Sequence, residues 1–533
     1  MTFFKLCIVI NPNDFLSWHR KLLLKVLNDN DLRVSIIVLE PNVNPTNDNF
    51  ISKCRDNIFS LYKKIDKKIF KINSSQEKKD NYKDLFKNIK VFKSNLKNLS
   101  NFFTNDGNLN NTSAVLNLTQ FKLSNRIFEN LKYGIWEYRI GYRLNSDLKL
   151  NGMVEVLYNL DLTSAYLVAR MSTSNKKKII YESYSSTDKR SISRNLNPIY
   201  IKASSFVSRV IKLLKEDENY ISNSRSIEEG EISKNLSLLT FLFLISRHYF
   251  RYLQDKIIDR FYINQWSLLY YDNNDKLLNR IKDYKKIIPP TDRFYADPFI
   301  IEKRDIKYIF FEEAMFKNMK GFISVIKINT KGIVSKPVPV LEEDYHLSYP
   351  FIFEDNNDYY LIPESATNNT ISIYKCTSFP YKWEFKSNII EGIKAYDATI
   401  FKYNNKFWLF ANVVEERGAS SWDELHIYYN DDLLSKNWLP HKKNPVVCDV
   451  RSARPAGKIF LYKGKYIRPA QDCSKRYGYG LTFNEILILN ESEYGEKIIK
   501  SIKPTWNKNI LGVHTVNSTN NFTVTDVISK SRR

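Results

Sequence analysis

One pattern recurs five times in the carboxyl-terminal half of this 533-residue chain, and it constrains the fold more than any other feature. Windows 299–312, 351–364, 399–412, 458–471 and 513–526 each run from an apolar strand through a polar turn into a strand rich in aromatic or branched residues. The turns are Lys303-Arg304-Asp305, Asn356-Asn357-Asp358, Asn404-Asn405, Lys463-Gly464 and Asn520-Asn521, the composition of tight β-hairpins. The windows start 52, 48, 59 and 55 residues apart, about the length of one four-stranded propeller blade. Each closes on a polar residue, in turn Glu312, Glu364, Asn412, Gln471 and Asp526. A sandwich gives no reason to repeat such a residue, whereas a propeller brings equivalent positions of its blades together around one axis. The spacing predicts an all-β five-bladed propeller over 261–533.

The remaining half must be a separate domain, because 533 residues exceed what one core serves. Segments 4–10, 14–27 and 33–39 alternate as apolar run, amphipathic stretch and apolar run, the pattern of a β-α-β unit. An α/β domain is expected over 1–215, with further strands at 114–118 and 164–171 and a Lys-rich helical or looped stretch at 51–98. Residues 216–260 read as a linker followed by an apolar and basic helix. Its apolar part, 236–245, is about half as long as a bilayer span. Arg247, His248, Tyr249, Arg251 and Tyr252 follow, so 236–252 fits either a helix packed between domains or a peripheral membrane contact.

The formal charge of +23 raises the question of nucleic acid. The lysines are scattered and no zinc-finger, helix-turn-helix or RNP signature accompanies them, so a solvated basic surface is expected and nucleic acid is not. Attraction to an anionic membrane is the alternative use of that charge. Cys7, Cys54, Cys376, Cys448 and Cys473 are odd in number and contain no CxxC pair, which suits a reducing compartment. The opening stretch reads as a strand and not a signal peptide. The expected location is cytoplasmic, at the inner membrane surface.

In the first half, Val115-Leu116-Asn117-Leu118, Tyr133-Gly134-Ile135-Trp136 and Asn151-Gly152-Met153-Val154-Glu155-Val156 resemble the formyltransferase fold of methionyl-tRNA and sugar-nucleotide formyltransferases. The resemblance implies an Asn, a His and an Asp that handle a folate formyl group and move protons from an attacking amine. Asn117 matches the Asn. The His has no counterpart, since His19 is the only histidine of the first 240 residues, and 172–178 occupies the place of the Asp. A formyltransferase-like domain that has lost formyl transfer is expected, with Asn117 alone also suiting a capped turn.

In the second half, Ala296-Asp297-Pro298-Phe299, His346-Leu347-Ser348-Tyr349-Pro350-Phe351, Tyr396-Asp397-Ala398-Thr399, Arg451-Ser452-Ala453-Arg454-Pro455 and Arg468-Pro469-Ala470-Gln471-Asp472-Cys473 look like the amino-terminal domain of glucosamine inositolphosphorylceramide transferases. That domain is similar to the five-bladed propeller of family 43, 32 and 68 glycoside hydrolases. The resemblance to the hydrolases implies an Asp base or nucleophile, matched by Asp297, and an Asp that tunes the acid, matched by Asp397. Their general-acid Glu has no match. The fourth blade opens on Arg454, which cannot protonate a leaving oxygen but can grip a phosphate or carboxylate, so Glu364 is the candidate acid.

These readings place a carbohydrate in the propeller funnel. Asp297, Asp397 and Glu364 are the catalytic candidates, and Tyr349, Arg454, Arg468, Gln471, Asp472 and His514 are the binding candidates. The expected partner is a glycan or glycoconjugate, anionic if Arg454 is free to hold it, in surface-polysaccharide biosynthesis. A glycosidase or transglycosidase, or a formyl- or acyltransferase acting on an amino-sugar, are the alternatives. No cofactor is firmly implied, and a Ca2+ near His514 is left open.

Overall fold

The computed structural model describes residues 3–40, 50–72, 75–86, 89–103, 109, 111–124, 126–127, 131–141, 152–171, 177–227 and 237–532, with backbone alone at 50–56. The chain divides into two compact units, Met1–Tyr252 and Leu253–Arg533.

The first unit is built on an eight-stranded sheet. Its strands run in the order Lys90–Ser94, Leu32–Leu39, Phe4–Ile10, Ala114–Asn117, Ile135–Ile140, Leu162–Arg170, Lys177–Ser186 and Ser226–Ile227. The first five are parallel and the rest antiparallel. The apolar run from Leu6 to Ile10 within Phe4–Ile10 is explained by burial on both faces of a parallel sheet. Chain order reverses beside this strand, which opens a crevice at the carboxyl ends of Phe4–Ile10 and Ala114–Asn117. The α/β expectation holds. The strand Lys90–Ser94, within the stretch read as helical or looped, is an addition.

The division differs from the expected boundaries at 215 and 261. Part of the expected linker folds with the first unit: Tyr220–Asn223 makes a helical turn, and Ser226–Ile227 pairs with Lys177 and Lys178. The helix Leu238–Phe261 buries Phe241 and Leu244 in the same core, where Phe241 meets Phe59 at 4.2 Å between ring centroids. The polar part of 216–260 is thus held to the first unit by strand pairing, and its apolar part by the burial of Phe241 and Leu244. Residues 228–236, which include Gly230 and the first residue of the apolar stretch, lie outside the described residues, as do Asn151 and most of the 172–178 stretch.

The second unit contains five sheets. Four are consecutive in the chain. The first is Arg293–Lys303, Ile306–Met315, Gly321–Ile328 and Val338–Leu341; the second is Ser348–Asp355, Asp358–Glu364, Thr370–Ser378 and Lys382–Glu391. The third is Ala395–Tyr403, Lys406–Val413, Leu425–Asn430 and Leu439–Pro440; the fourth is Phe460–Tyr462, Lys465–Asp472, Gly480–Leu489 and Tyr494–Ile502. The fifth joins the two ends of the unit, because Tyr262–Tyr271 pairs with Thr523–Arg532 along its whole length, from Tyr262 with Arg532 to Tyr271 with Thr523. That pairing ties the ends of the unit into one blade.

All five polar turns lie between paired strands, as expected. In four of them the central pair, Arg304-Asp305, Asn356-Asn357, Asn404-Asn405 and Lys463-Gly464, has positive φ, the backbone of a two-residue hairpin that matches strand twist.

Candidate functional site

A shared backbone device places three residues that stand two positions ahead of the first three windows. Asp297, Tyr349 and Asp397 have φ of 52°, 40° and 55°, each inside a register shift of the first strand of its blade. A bulge of this kind breaks the strict alternation of side chains and re-aims one of them. Pro298 and Pro350 follow directly, where the ladder is already interrupted and a missing N–H costs little. Left-handed backbone at a non-glycine residue costs about 1–2 kcal/mol, so its use in three successive blades marks a region where side-chain aim matters.

Asp397 forms one wall. Arg454 donates to it twice, Nε to Oδ2 at 2.6 Å and Nη2 to Oδ1 at 3.1 Å, and Gln471 Nε2 donates to Oδ2 at 2.8 Å. Two blades, the third and the fourth, thus meet at one carboxylate that is 1% exposed. Burial pushes Asp397 up to about 7 against the pull of Arg454, with Asp297 and Glu364 adding to the rise. The third nitrogen of Arg454, Nη1, donates to the Ser421 carbonyl at 3.2 Å. The guanidinium is also 5.1 Å from the Tyr396 ring and 4.9 Å from the Tyr477 ring. Burial alone would lower Arg454, but the Asp397 charge outweighs it and holds the group well above its ordinary value. Three of the five Arg454 N–H donors are taken by Asp397 and Ser421, so the guanidinium is not the free anion grip that was expected.

Asp297 forms the other wall with residues of the fifth blade. Thr515 Oγ1 donates to Asp297 Oδ1 at 2.6 Å, and the Asp297 backbone N–H donates to Asp526 Oδ2 at 2.8 Å. His514 lies between the acids, with Nδ1 2.7 Å from Asp526 Oδ2 and Nε2 3.4 Å from Asp297 Oδ1. Its ring stacks on Trp266 at 3.9 Å and meets the edge of Tyr477 at 5.3 Å. Burial would lower His514, yet Asp526 and Asp297 together hold it above its ordinary value, so the charged imidazolium is favoured. Asp297 is raised by burial, opposed by His514 and reinforced by Asp526.

Glu312 and Glu364 belong to the same electrostatic set. Glu312 is buried, and burial followed by the charges of Asp297, Glu364, Asp397 and Asp526 holds it well above the usual carboxylate range. It therefore keeps a proton far more readily than an ordinary glutamate. His346 Nδ1 accepts from the Gly321 N–H at 2.9 Å, which leaves Nε2 facing Glu312 Oε1 at 3.4 Å. Glu364, the expected acid, accepts from the Ser348 hydroxyl at 2.9 Å and the Ala366 N–H at 3.0 Å. Asn412, the closing residue of the third blade, is fully buried, and neither its amide nitrogen nor its amide oxygen has a protein partner.

The other candidates divide. Gln471 and His514 are in the constellation. Tyr349 is a buried pin between blades: its hydroxyl is 2.9 Å from Thr399 Oγ1 and accepts from the Gly457 N–H at 2.7 Å. Arg468 is bound within its own sheet to Glu496 at 2.8 and 2.7 Å and to the Ser452 carbonyl at 2.6 Å, the contacts of a structural ion pair. Asp472 accepts from the Ser474 N–H at 2.9 Å and orders a turn. Sequence reasoning named Glu312 as a ring position but passed over it as a site residue, and it missed Thr515, Trp266 and Tyr477. The signal for Glu312 was its place at the end of a window. Trp266 and Tyr477 stand outside the repeat windows, and Thr515, inside the fifth window, is not at its closing position.

Asp297, His514 and Asp526 bring ligand-type atoms within 4.8 Å of one another, so a cation is the obvious test. Both oxygens of Asp526 already accept backbone N–H groups, from His514 and Thr515 on Oδ1 and Asp297 on Oδ2, and Asp297 Oδ1 accepts from Thr515. Ca2+ takes about six to eight oxygens. One imidazole with carboxylates already turned to N–H and O–H donors fits a hydrogen-bonded ion pair and does not fit Ca2+.

Asn117 lies in the first unit. Its amide donates to the Phe121 carbonyl at 2.8 Å, and its oxygen accepts from the Thr119 N–H and hydroxyl at 3.1 and 2.8 Å, so it caps the turn. A cavity of about 270 Å³ opens beside it, lined among others by His19, Glu137, Tyr138 and Arg139. The fold thus brings His19 to Asn117, a neighbourhood that their separation in sequence hides. Burial lowers His19 to about 3, and its Nδ1 accepts from the Leu16 N–H, so the imidazole is neutral with its proton on Nε2.

Residues 285–520 match the family model described as glucosamine inositolphosphorylceramide transferase 1, N-terminal. The likeness drawn from the motifs of the second half is therefore shown, over the propeller and not over the whole chain. Glucosamine inositolphosphorylceramide transferase 1 of Arabidopsis thaliana is 35% identical over 206 residues, 38% of this chain and 27% of the relative. That of Oryza sativa subsp. japonica is 34% identical over the same shares. The chain thus spans about a quarter of the length of these curated relatives. Among solved structures, a family 117 glycoside hydrolase of Zobellia galactanivorans aligns with 50% of this chain and 91% of its own, at 13% identity and a TM-score of 0.33. A family 43 β-xylosidase/α-arabinofuranosidase from a compost microbial metagenome aligns with 46% and 92%, at 14% and 0.34. At such scores these likenesses say nothing about chemistry.

Proposed function

We propose that the propeller funnel binds a glycan or glycoconjugate and serves surface-glycan biosynthesis in the cytoplasm, at the inner membrane surface. The observation that carries this reading is the convergence of Asp297, Asp397 and Asp526 from three blades, with Gln471 of a fourth bound to Asp397 and the Trp266 and Tyr477 rings beside His514. Sugar hydroxyls need donors and acceptors together, and sugar C–H faces suit aromatic rings. The names of the relatives, which speak of glucosamine and inositolphosphorylceramide, support a sugar-conjugate ligand. Glu312 is the group suited to give a proton to a departing oxygen, and Asp297, with His514 beside it, is the group suited to receive one.

The test is a glycan array with the full chain and its Asp297→Asn and Glu312→Gln variants, run beside a hydrolysis and transfer assay. Binding that survives in Glu312→Gln while turnover disappears supports proton transfer by Glu312. Binding without turnover in the parent chain makes the funnel a binding module. A parent chain that binds no sugar removes the proposal.

The cavity shared by His19 and Asn117 favours a second reading, acyl or formyl transfer to an amino-sugar by the first unit. Calorimetric titration with 10-formyltetrahydrofolate and acetyl-coenzyme A decides it, and no heat from either donor ends it.

A further inference from the structure

The helix Leu238–Phe261 carries two apolar faces, and only one is covered. Phe241, Leu244 and His248 are buried, with Phe241 and Tyr62 in contact at 6.1 Å and His248 meeting Tyr62 at 6.2 Å between ring centroids. Leu239, Leu242, Phe243, Phe250, Leu253, Ile257 and Phe261 are all exposed, from 43% at Leu242 to 80% at Leu239. At about 100° per residue these seven fall on one stripe roughly 100° wide, opposite the buried face. Single exposed hydrophobics are ordinary on a protein surface, but seven aligned over the length of a helix are not.

The charges around the stripe are sorted. On the same helical projection Arg247 lies on one flank, and Lys256 and Arg260 lie on the other. The two acids, Asp255 and Asp259, fall on the far side of the helix. The chain as a whole carries +23, so a second copy laid against this face would bring like charges together. An anionic surface would be attracted to the same face. An apolar stripe flanked by cations is the arrangement of a helix lying in the plane of a membrane interface, with its apolar side chains among the acyl chains and its cations at the phosphates. No helix among the described residues is long and apolar enough to cross a bilayer, so the face would lie on the membrane and not span it.

We propose that the exposed face of Leu238–Phe261 docks the protein on an anionic lipid surface. This goes beyond the glycan reading and does not depend on it. The ligand chemistry is a phosphate-rich, acyl-lined interface, and no single headgroup need be recognised.

The experiment is co-sedimentation of the full chain with phosphatidylcholine vesicles, with and without about one-third phosphatidylglycerol. The parent chain is expected to partition onto the anionic vesicles at least about tenfold more strongly than onto the neutral ones, and to come off at high salt. Phe243→Ser/Phe250→Ser is expected to lower that partitioning about tenfold, and Arg247→Gln/Arg260→Gln to lower its salt-sensitive part. These side chains are exposed, so an unchanged thermal transition reports an intact fold. Equal binding by the parent and the Phe243/Phe250 variant overturns the proposal. Binding that ignores phosphatidylglycerol overturns the electrostatic half. A parent chain that sediments as a dimer, and a Phe243/Phe250 variant that sediments as a monomer without a change in vesicle binding, assigns the face to a second copy and overturns it as well.

Discussion

The two sides of the propeller's buried acidic cluster hold their aspartates by different means. Asp397 is clamped by a guanidinium that keeps its charge at any ordinary pH and by the Gln471 amide. Asp297 faces an imidazole, a hydroxyl and a second carboxylate, all of which can exchange or redirect protons. A permanent cation fixes geometry but leaves a stranded charge if its partner is lost. A titratable cation can let its charge go when the environment changes. The Asp397 wall therefore reads as the structural one, and the Asp297 wall, with Glu312 raised nearby, reads as the one able to move protons.

The strongest way to break this comparison is Asp397→Ala, which leaves Arg454 buried without its carboxylate. Urea unfolding is expected to show a loss of about 3–5 kcal/mol. Asp397→Leu combined with Arg454→Met is expected to recover most of it, and a double variant as weak as the single one would mean that the clamp is not the cause.

His514→Gln is expected to cost less, about 1–3 kcal/mol, because Asp297 can take up a proton once the imidazolium is gone. Its mark is in the pH dependence. His514 is raised above 6.5 in the fold, so its contribution is full below that value and drains as pH rises through the folded value. Asp397, raised from 3.8 to about 7, acts in the same direction: its contribution is full below 3.8 and is lost as pH rises through about 7. The parent chain should be less stable at about pH 9 than at about pH 6, and the gap should narrow in His514→Gln. An unchanged gap would remove His514 from the account.

Gln471→Ala should cost about 1–2 kcal/mol by removing one donor to Asp397. It sharpens the comparison if the loss disappears in a background that already lacks Asp397, as expected for two residues in one hydrogen-bond network. Glu312→Gln should change stability least, by under about 1 kcal/mol, since the amide resembles a carboxyl that keeps its proton. Any turnover should nevertheless be lost.

The legibility of the fold follows the same division between local and long-range causes. The five hairpins could be read because each turn and its flanking strands are adjacent in the chain. Asp297 and Asp397 could be read because the same Tyr/Ala-Asp-Pro/Ala pattern precedes each window. Arg454 was read correctly as the odd residue of the fourth blade and wrongly as a free anion grip, because nothing in its neighbourhood announces a carboxylate 57 residues earlier. Arg468 looked like a site residue for its motif, but its partner is Glu496 on the outer strand, 28 residues on. His19 and Asn117 show the same effect in the first unit, where the crevice between two parallel strands joins segments that the sequence keeps apart.

The sequence by itself determined the number of blades, the hairpin turns, the polar ring positions and the α/β character of the first unit, since all of these are written in local periodicity and turn chemistry. Tertiary structure alone decided which ring residues neutralise one another, which aspartate is clamped by a guanidinium and which faces an imidazole, and that the last strand returns to pair with Tyr262–Tyr271. The physical reason is that charge, burial and closure are properties of neighbours in space, and a propeller brings together residues from all five blades that are far apart along the chain.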